Sequence, residues 1–267
     1  MTPTTPVADA PAGSGFVRAT AANGIGVLSF HHPKGNSLPA AMLRELAEGV
    51  DRLGFDKSVQ VIILRSEGAG PFCAGASFDE FTTIRDAEAG RQFFMGFANL
   101  ILAMRRCPKF ILARVHGKVA GGGVGIVAAA DYSLAMATAS VRLSELAVGI
   151  GPFIVGPVIE RRVGSGSFSA MAVDTEWRDA HWAERHGLYS RLCDVQTELD
   201  AHLEALAHTL AKSNPEAMAE LKTTFWAGTD HWEELLRERA KLSGRLVLSD
   251  HTKRAIEEFR RRDTGRP

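Results

Sequence analysis

Glu145 is the residue whose type and surroundings best suit acid–base chemistry. Its neighbours Leu143, Leu146 and Val148 are apolar, and the glycine-rich segment 149–153 follows directly. A glutamate beside a short strand is most often solvated or ion-paired. A carboxyl group that is desolvated in such a segment has a raised pKa and can transfer protons near neutral pH. We therefore take Glu145 as the candidate acid/base and keep the solvated charge as its alternative.

Two loops rich in small residues could bind the oxygen of a reacting carbonyl group. They cover residues 71–78 (PFCAGASF) and 117–124 (GKVAGGGV). Small residues let a ligand approach the backbone, and amides at the start of a helix have no partner within that helix. A tight turn and close packing of a helix on a strand are the alternatives for the two loops. Neither loop is a phosphate loop, since the chain has no GxxxxGK[ST] and no GxGxxG motif.

The elements that must position these residues alternate between strands and helices. Each loop follows a β-branched or apolar run and precedes a helical pattern, which is typical of α/β architecture. After about residue 150 the pattern is almost entirely helical. The predicted strands are 16–21, 25–30, 59–64, 109–115, 132–135 and 141–143. The predicted helices begin near Pro39 and then cover 79–105, 124–130, 154–163, 167–172, 200–212, 215–223, 231–248 and 252–261.

Composition argues against several classes of protein. There are 31 basic and 31 acidic residues, so the basic surface of a nucleic-acid or membrane-surface protein is not expected. No apolar run is long enough for a transmembrane helix. The three cysteines form no CxxC pair and the histidines form no zinc motif, so we predict no metal and a reducing cytoplasm. Residues 1–14 are expected to form a disordered tail without the features of a signal peptide.

The motifs taken together resemble the enoyl-CoA hydratase/isomerase (crotonase) superfamily. The segments that carry the resemblance are PKGNSL (33–38), FCAGASF (72–78), GKVAGGGVGI (117–126), SELAVGIGP (144–152) and AIEEFRRR (255–262). The resemblance implies an α/β fold of the ClpP/crotonase-like type, a spiral of repeated ββα units with a C-terminal helical subdomain. We expect the spiral over residues 15–199 and a helical trimerisation subdomain over residues 200–267.

The resemblance also implies where the chemistry occurs. The backbone N–H groups of Ala76 and Gly122 match the pair that stabilises the thioester oxyanion in this family. Such a donor is typically worth about 3 kcal/mol to the transition state. Three glycines, Gly75, Gly121 and Gly123, would support these loops. Glu145 matches the family's second glutamate.

The family's first glutamate position is occupied here by Gly125, which cannot transfer a proton. Hydration of a 2-enoyl-CoA therefore lacks its usual pair of carboxylates. One carboxylate still suffices for Δ3–Δ2 isomerisation, and it could also activate water if another group orients the water. Both reactions remain open. Other reactions of the superfamily, namely thioester hydrolysis and decarboxylation, and a catalytically silent acyl-CoA-binding scaffold are further alternatives.

By the same resemblance, four residues lie near the CoA part of the substrate: Lys34, Asn36, Ala74 and Phe78. Phe259 and Arg262 match positions that contact the CoA bound to a neighbouring subunit. Since Arg262 lies in a run of three arginines, an ordinary solvated charge is an equal alternative for it. The expected assembly is a homotrimer or a dimer of trimers, with an acyl-CoA as substrate and no cofactor beyond the CoA that the substrate carries.

Overall fold

A computed structural model describes the protein over residues 15–263, with side chains described as far as residue 258. The predicted tail of residues 1–14 lies outside the described residues. The strands are β1 Phe16–Ala22, β2 Ile25–His31, β3 Val61–Ser66, β4 Phe110–Val115, β5 Val119–Ala120, β6 Tyr132–Met136, β7 Ser140–Arg142, β8 Arg178–Asp179 and β9 Arg191–Cys193. The helices are α1 Ala40–Phe55, α2 Phe78–Phe81, α3 Ala87–Arg106, α4 Gly122–Ala129, α5 Gly156–Asp174, α6 Ala180–Arg185, α7 Gln196–Leu210, α8 Pro215–Phe225, α9 Trp232–Leu246 and α10 Asp250–Asp263.

The main sheet has six strands in the order β1-β2-β3-β4-β6-β9. β1 and β2 form an antiparallel hairpin, and every later pair is parallel. Asn23 and Gly24 both have positive φ (52° and 81°), as the predicted Asn-Gly hairpin turn requires. A smaller sheet has the strand order β5-β7-β8. β5 lies within the second glycine-rich loop, and β7 comes just before the segment that contains Glu145.

Helices cover both faces of the main sheet, so its central strands are buried. On one face α7 packs Leu199 and Leu203 against Ile63 and Leu134. On the other face, the larger core joins α1, α3, α4 and α5 and includes apolar residues of α9 and α10. Burial on two faces explains why residues 61–64 of β3 are all apolar. The boundary near residue 200 and a trimerisation role for residues 200–267 stay predictions.

Three of the predicted elements differ from the structure. The helix expected over 79–105 is two helices, because Ser77 caps α2 and Asp86 caps α3 through bonds to Glu80 N and Ala89 N. The two helices expected over 154–172 are one element, α5, which is broken internally at Gly164 (φ 78°, ψ 158°). The prediction that strands end near residue 150 is wrong.

Three short strands were missed: β5, which lies within the second glycine-rich loop, and β8 and β9, which are partly polar. Each is defined by its partner rather than by its own composition. β8 pairs with β7, and β9 completes the main sheet against β6. Strands of two or three residues carry little hydrophobic periodicity, and of the four such strands among the described residues the sequence predicted β7 alone, as 141–143.

Candidate active site

The two glycine-rich loops lie side by side, joined by backbone hydrogen bonds. Cys73 N–H donates to the Lys118 carbonyl oxygen at 3.3 Å, and Ala120 N–H donates to the Cys73 carbonyl oxygen at 2.9 Å. These bonds form a parallel bridge between Cys73 and Val119. Segments about 45 residues apart in the sequence therefore enter their helices next to each other.

The Ala76 amide is left free by the way its loop is held. Leu38 N–H donates to the Gly75 carbonyl oxygen (2.8 Å), and Ser77 N–H donates to the Leu38 carbonyl oxygen (3.0 Å). In such a parallel bridge the intervening residue turns its own N–H away from the partner strand. Within residues 15–263, the Ala76 N–H donates no hydrogen bond. Gly75 makes this turn at φ 94°, a conformation that favours glycine.

The Gly122 amide is the second free donor, at the first residue of α4. The preceding Gly121 N–H donates to the Arg142 carbonyl oxygen at 2.9 Å, which fixes the approach of the chain. The Gly122 N–H itself has no acceptor within the described part of the chain, as expected for a first helical residue. A Cβ atom at Gly75 would lie 3.7 Å from the Gly122 nitrogen, so the two loops meet at their glycines.

Gly122 must be glycine because the Phe97 ring occupies the space of a side chain. A Cβ atom at position 122 would lie 2.2 Å from Phe97 Cε1. The ring therefore packs directly against the free amide. Removing water from around such a donor strengthens its hydrogen bond to a developing negative charge.

Both amides and Glu145 line one cavity of about 950 Å³. The cavity opens between the first glycine-rich loop, the turn after β7 and the C-terminal helices. Much of its wall is apolar and aromatic, and the residues responsible are Phe78, Phe81, Phe94, Phe97, Val148, Ile150, Phe153, Ile154 and Val155. A concave site with few polar groups is typical of small-molecule binding.

Glu145 reaches this cavity from a short 3-10 turn, Leu146–Val148, that follows β7. Its carbonyl oxygen accepts from Val148 N–H (3.2 Å) and Ile150 N–H (3.0 Å), which fixes the turn. Within the described residues the carboxyl Oε2 atom is shielded from solvent and has no hydrogen-bond partner. Burial raises the pKa of Glu145 from 4.5 to about 7, with the backbone N–H groups of Glu145 and Ser144 opposing part of the rise.

The position of the family's first glutamate is closed by an apolar contact. A Cβ atom at Gly125 would lie 2.4 Å from Val155 Cγ1 and 2.6 Å from Val155 Cβ. Val155 stands just before α5, and its branched side chain fills the space that a side chain at position 125 would need. Among the described residues, no second carboxylate can reach the cavity from this position.

The structure brings together most, but not all, of the residues predicted for CoA binding. Lys34, Ala74 and Phe78 line the cavity, and Lys34 is ion-paired with Asp79 at its exposed edge. Asn36 is only 3% exposed and is not part of the cavity wall. Its Nδ2 group donates to the carbonyl oxygens of residues 67 and 71 (3.0 and 2.9 Å), so it braces the loop from behind. The side chains of Phe259 and Arg262 lie outside the described residues.

Of the three glycines predicted to support the loops, two line the cavity and one does not. Gly75 and Gly121 line the cavity. Gly123 faces away from it, because a Cβ atom there would lie 2.8 Å from Cys73 Cβ. It therefore acts in packing the two loops together.

Sequence reasoning missed several residues of the wall. Ser144 and Arg142 precede Glu145 and line the cavity, and their proximity in sequence was a usable signal. Ala255 and Glu258 come from α10, and only the tertiary structure brings them to the site. α10 is held there by Thr252, whose hydroxyl lies 2.9 Å from the carbonyl oxygen of residue 149.

The described part of the chain offers no alternative centre of metal chemistry. Between residues 15 and 263 no group of three or more His, Cys, Asp or Glu side chains is placed to hold a metal ion. None of the described helices is long and apolar enough to span a bilayer.

Comparison with known proteins identifies the family. The family model described as "Enoyl-CoA hydratase/isomerase" matches residues 20–264. "Methylglutaconyl-CoA hydratase, mitochondrial" of Mus musculus is 30% identical over 212 residues, which are 78% of this chain and 67% of that protein. A Bacillus subtilis (strain 168) protein named "Probable enoyl-CoA hydratase" is 29% identical over 237 residues, 88% of this chain and 92% of its own.

The fold agrees with this assignment. The crystal structure of enoyl-CoA hydratase from Bacillus halodurans matches with a TM-score of 0.84 at 19% identity, covering 91% of this chain and 99% of that one. The likeness confirms the crotonase fold predicted from the sequence. The match of the family model over nearly the whole chain and the 30% identity together place the protein: it belongs to the enoyl-CoA hydratase/isomerase family.

Proposed function

We propose that this protein transfers protons to and from an enoyl-CoA thioester, with Glu145 as the acid/base and the Ala76 and Gly122 N–H groups as the oxyanion hole. The observation that supports it is the convergence of two free amides and one desolvated carboxyl group on a single apolar cavity. A pKa of about 7 leaves both forms of the carboxyl group populated at neutral pH. A general acid/base works best in that range.

Isomerisation needs only these groups. The Glu145 carboxylate removes a proton from C2 of a 3-enoyl-CoA, and the electron pair of that C–H bond moves toward the thioester oxygen. The resulting dienolate is stabilised by the two N–H donors. The protonated Glu145 then returns the proton to C4, which leaves the double bond between C2 and C3.

Water addition to a 2-enoyl-CoA uses the same oxyanion. Glu145 removes one proton from water as the water oxygen bonds to C3, and the π electrons move to the thioester oxygen. The protonated Glu145 then delivers that proton to C2. The relatives named as hydratases support this reaction, and the apolar wall beside Glu145 suits an apolar acyl chain.

The rest of the proposal concerns binding and assembly. Lys34, Ala74 and Phe78 hold the CoA part at the cavity edge, and Asn36 supports their loop. Phe259 and Arg262 are proposed to contact the CoA of a neighbouring subunit in a homotrimer or dimer of trimers in the cytoplasm. No cofactor is required beyond the CoA that the substrate carries.

The test uses purified protein with 3-hexenoyl-CoA and 2-hexenoyl-CoA in D2O, read by NMR and mass spectrometry. We expect a double-bond shift or gain of water, with deuterium incorporated at C2 or C4. Glu145→Gln should reduce either rate by at least about 10²-fold. Glu204→Gln, a surface change on α7, is the matched control and should leave the rate unchanged.

Four results would count against the proposal. Free CoA as the main product would indicate thioester hydrolysis, and loss of CO2 from a carboxylated acyl-CoA would indicate decarboxylation. Thermal stabilisation by acyl-CoA with neither turnover nor deuterium exchange would indicate a binding scaffold. Full activity of Glu145→Gln would remove the assigned role of that residue.

A further inference from the structure

Water addition requires a group that holds the attacking water in addition to the group that takes its proton. Gly125 supplies no such group, and Val155 closes the space beside it. A water placed only by Glu145 would be free to rotate about one hydrogen bond. Since poor orientation of a nucleophile is costly, an enzyme that hydrates efficiently needs a second contact.

Ser144 offers a hydroxyl group at the right place. A single point, the Cβ position of a side chain at Gly121, lies 3.6 Å from Ser144 Oγ and 3.3 Å from Glu145 Oε1. Both side chains therefore flank the residue that precedes the Gly122 oxyanion donor. Both also line the substrate cavity.

The Ser144 hydroxyl group has no hydrogen-bond partner among residues 15–258, the part of the chain whose side chains the structure describes. The residue is half-buried on the cavity wall. A hydroxyl group on a largely apolar cavity wall is stabilised by a water or ligand partner. Its vacant lone pairs are thus available to a water bound next to Glu145.

We propose that Ser144 is a catalytic residue for water addition, which accepts a hydrogen bond from the nucleophilic water while Glu145 accepts the other. The water then has one proton directed at Ser144 Oγ and one at the Glu145 carboxylate, with a lone pair facing C3. The second proton passes to Glu145 and then to C2. The first stays on the oxygen, which becomes the hydroxyl group of a 3-hydroxyacyl-CoA.

Ser144 neither gains nor loses a proton in this scheme, so it needs no unusual acidity. It also has no part in isomerisation, where no water adds. The inference rests on the proposed function, since it presumes that Glu145 moves protons on an enoyl-CoA. It goes further by assigning hydration to this site and by naming the group that permits it.

The experiment compares both reactions in the same variants, with 2-hexenoyl-CoA for hydration and 3-hexenoyl-CoA for isomerisation. Ser144→Ala should lower the hydration rate by about 10²-fold and leave the isomerisation rate within about threefold. Ser144→Thr keeps the hydroxyl group and should restore hydration to within about tenfold of the parent rate. Thermal melting of each variant reports whether the fold is intact.

Each outcome has one meaning. Isomerisation without hydration by the parent protein would overturn the role of Ser144 and leave the proposed function standing. Equal losses of both reactions in Ser144→Ala, or no loss of either, would also overturn it. Neither reaction in the parent protein would refute the proposed function, and the inference with it.

Discussion

Replacing Glu145 by Gln should make the protein more stable at alkaline pH while strongly reducing the proposed activity. Burial raises the pKa of this carboxyl group from 4.5 to about 7 in the folded protein. A tenfold change in proton affinity is worth ~1.4 kcal/mol. Ionising this carboxyl group therefore costs about 3 kcal/mol more in the folded protein than in the unfolded chain. Glutamine has nearly the same shape and does not titrate.

The direction of the pH effect follows from which state binds the proton more tightly. Glu145 has a pKa of about 7 in the folded protein and 4.5 in the unfolded chain, so the folded protein binds the proton more tightly. Below pH 4.5 the carboxyl group is protonated in both states, and the folded protein does not bear the cost of a buried charge. As pH rises from there to about 7, the unfolded chain releases the proton first and the folded state loses relative stability. Above that range the full cost is present.

The assay is chemical denaturation of parent, Glu145→Gln and Glu204→Gln proteins at equal concentration. Between about pH 5 and pH 8.5 the free energy of unfolding of the parent should fall by about 2–3 kcal/mol relative to Glu145→Gln. In thermal melts this corresponds to roughly 5–10 °C. The Glu204→Gln protein should follow the parent, because that residue is exposed. Parallel curves for parent and Glu145→Gln would show an ordinary solvated carboxylate and refute the argument from burial.

Three further substitutions test other contacts by denaturation. Gly125→Ala should lower the free energy of unfolding by about 1–3 kcal/mol, because the new methyl group clashes with Val155. Adding Val155→Ala should recover part of that loss, and strictly additive losses would contradict the contact. Lys222→Met should cost about 3–5 kcal/mol, because it removes the cation 2.9 Å from the buried Asp131 carboxylate and leaves that charge with the Ile111 N–H (2.7 Å) as its hydrogen-bond donor. An additional Asp131→Asn change should restore much of the loss. Gly166→Ala should stabilise the protein by about 0.5–1 kcal/mol, since this exposed position in α5 has open space for a methyl group; a decrease would contradict its helical environment.

The parts of the site that depend on local sequence were predictable. The glycine-rich loops reveal themselves by composition, and Glu145 by the apolar residues on either side. The motif resemblance then pointed to Ala76 and Gly122 as a pair, and the structure places both on one cavity. Their catalytic roles stay predictions until the kinetic experiments are done.

Contacts between distant elements were not predictable, because no local pattern encodes them. The sequence shows Gly125 but not that Val155, thirty residues later, fills the space beside it. Asn36 was expected near CoA, yet its amide group is saturated by carbonyl oxygens of the neighbouring loop. The burial of Asn36 depends on how distant segments pack together. The same is true of the part of the cavity wall that α10 contributes through Ala255 and Glu258.

In the proposed mechanism the backbone binds the thioester oxygen and side chains move the protons. This separation of roles explains how one fold can serve several reactions. The proposed oxyanion donors are backbone groups, so the role assigned to them requires only that Gly75 and Gly122 keep their conformation and their close contacts. Side chains elsewhere on the wall are free to change without disturbing them. In the proposed mechanism, the choice between moving a proton and adding water depends on the side chains next to Glu145. In this protein the Val155 side chain fills the space beside Gly125, and the Ser144 hydroxyl group, which has no partner among the described residues, lies next to Glu145 on the cavity wall.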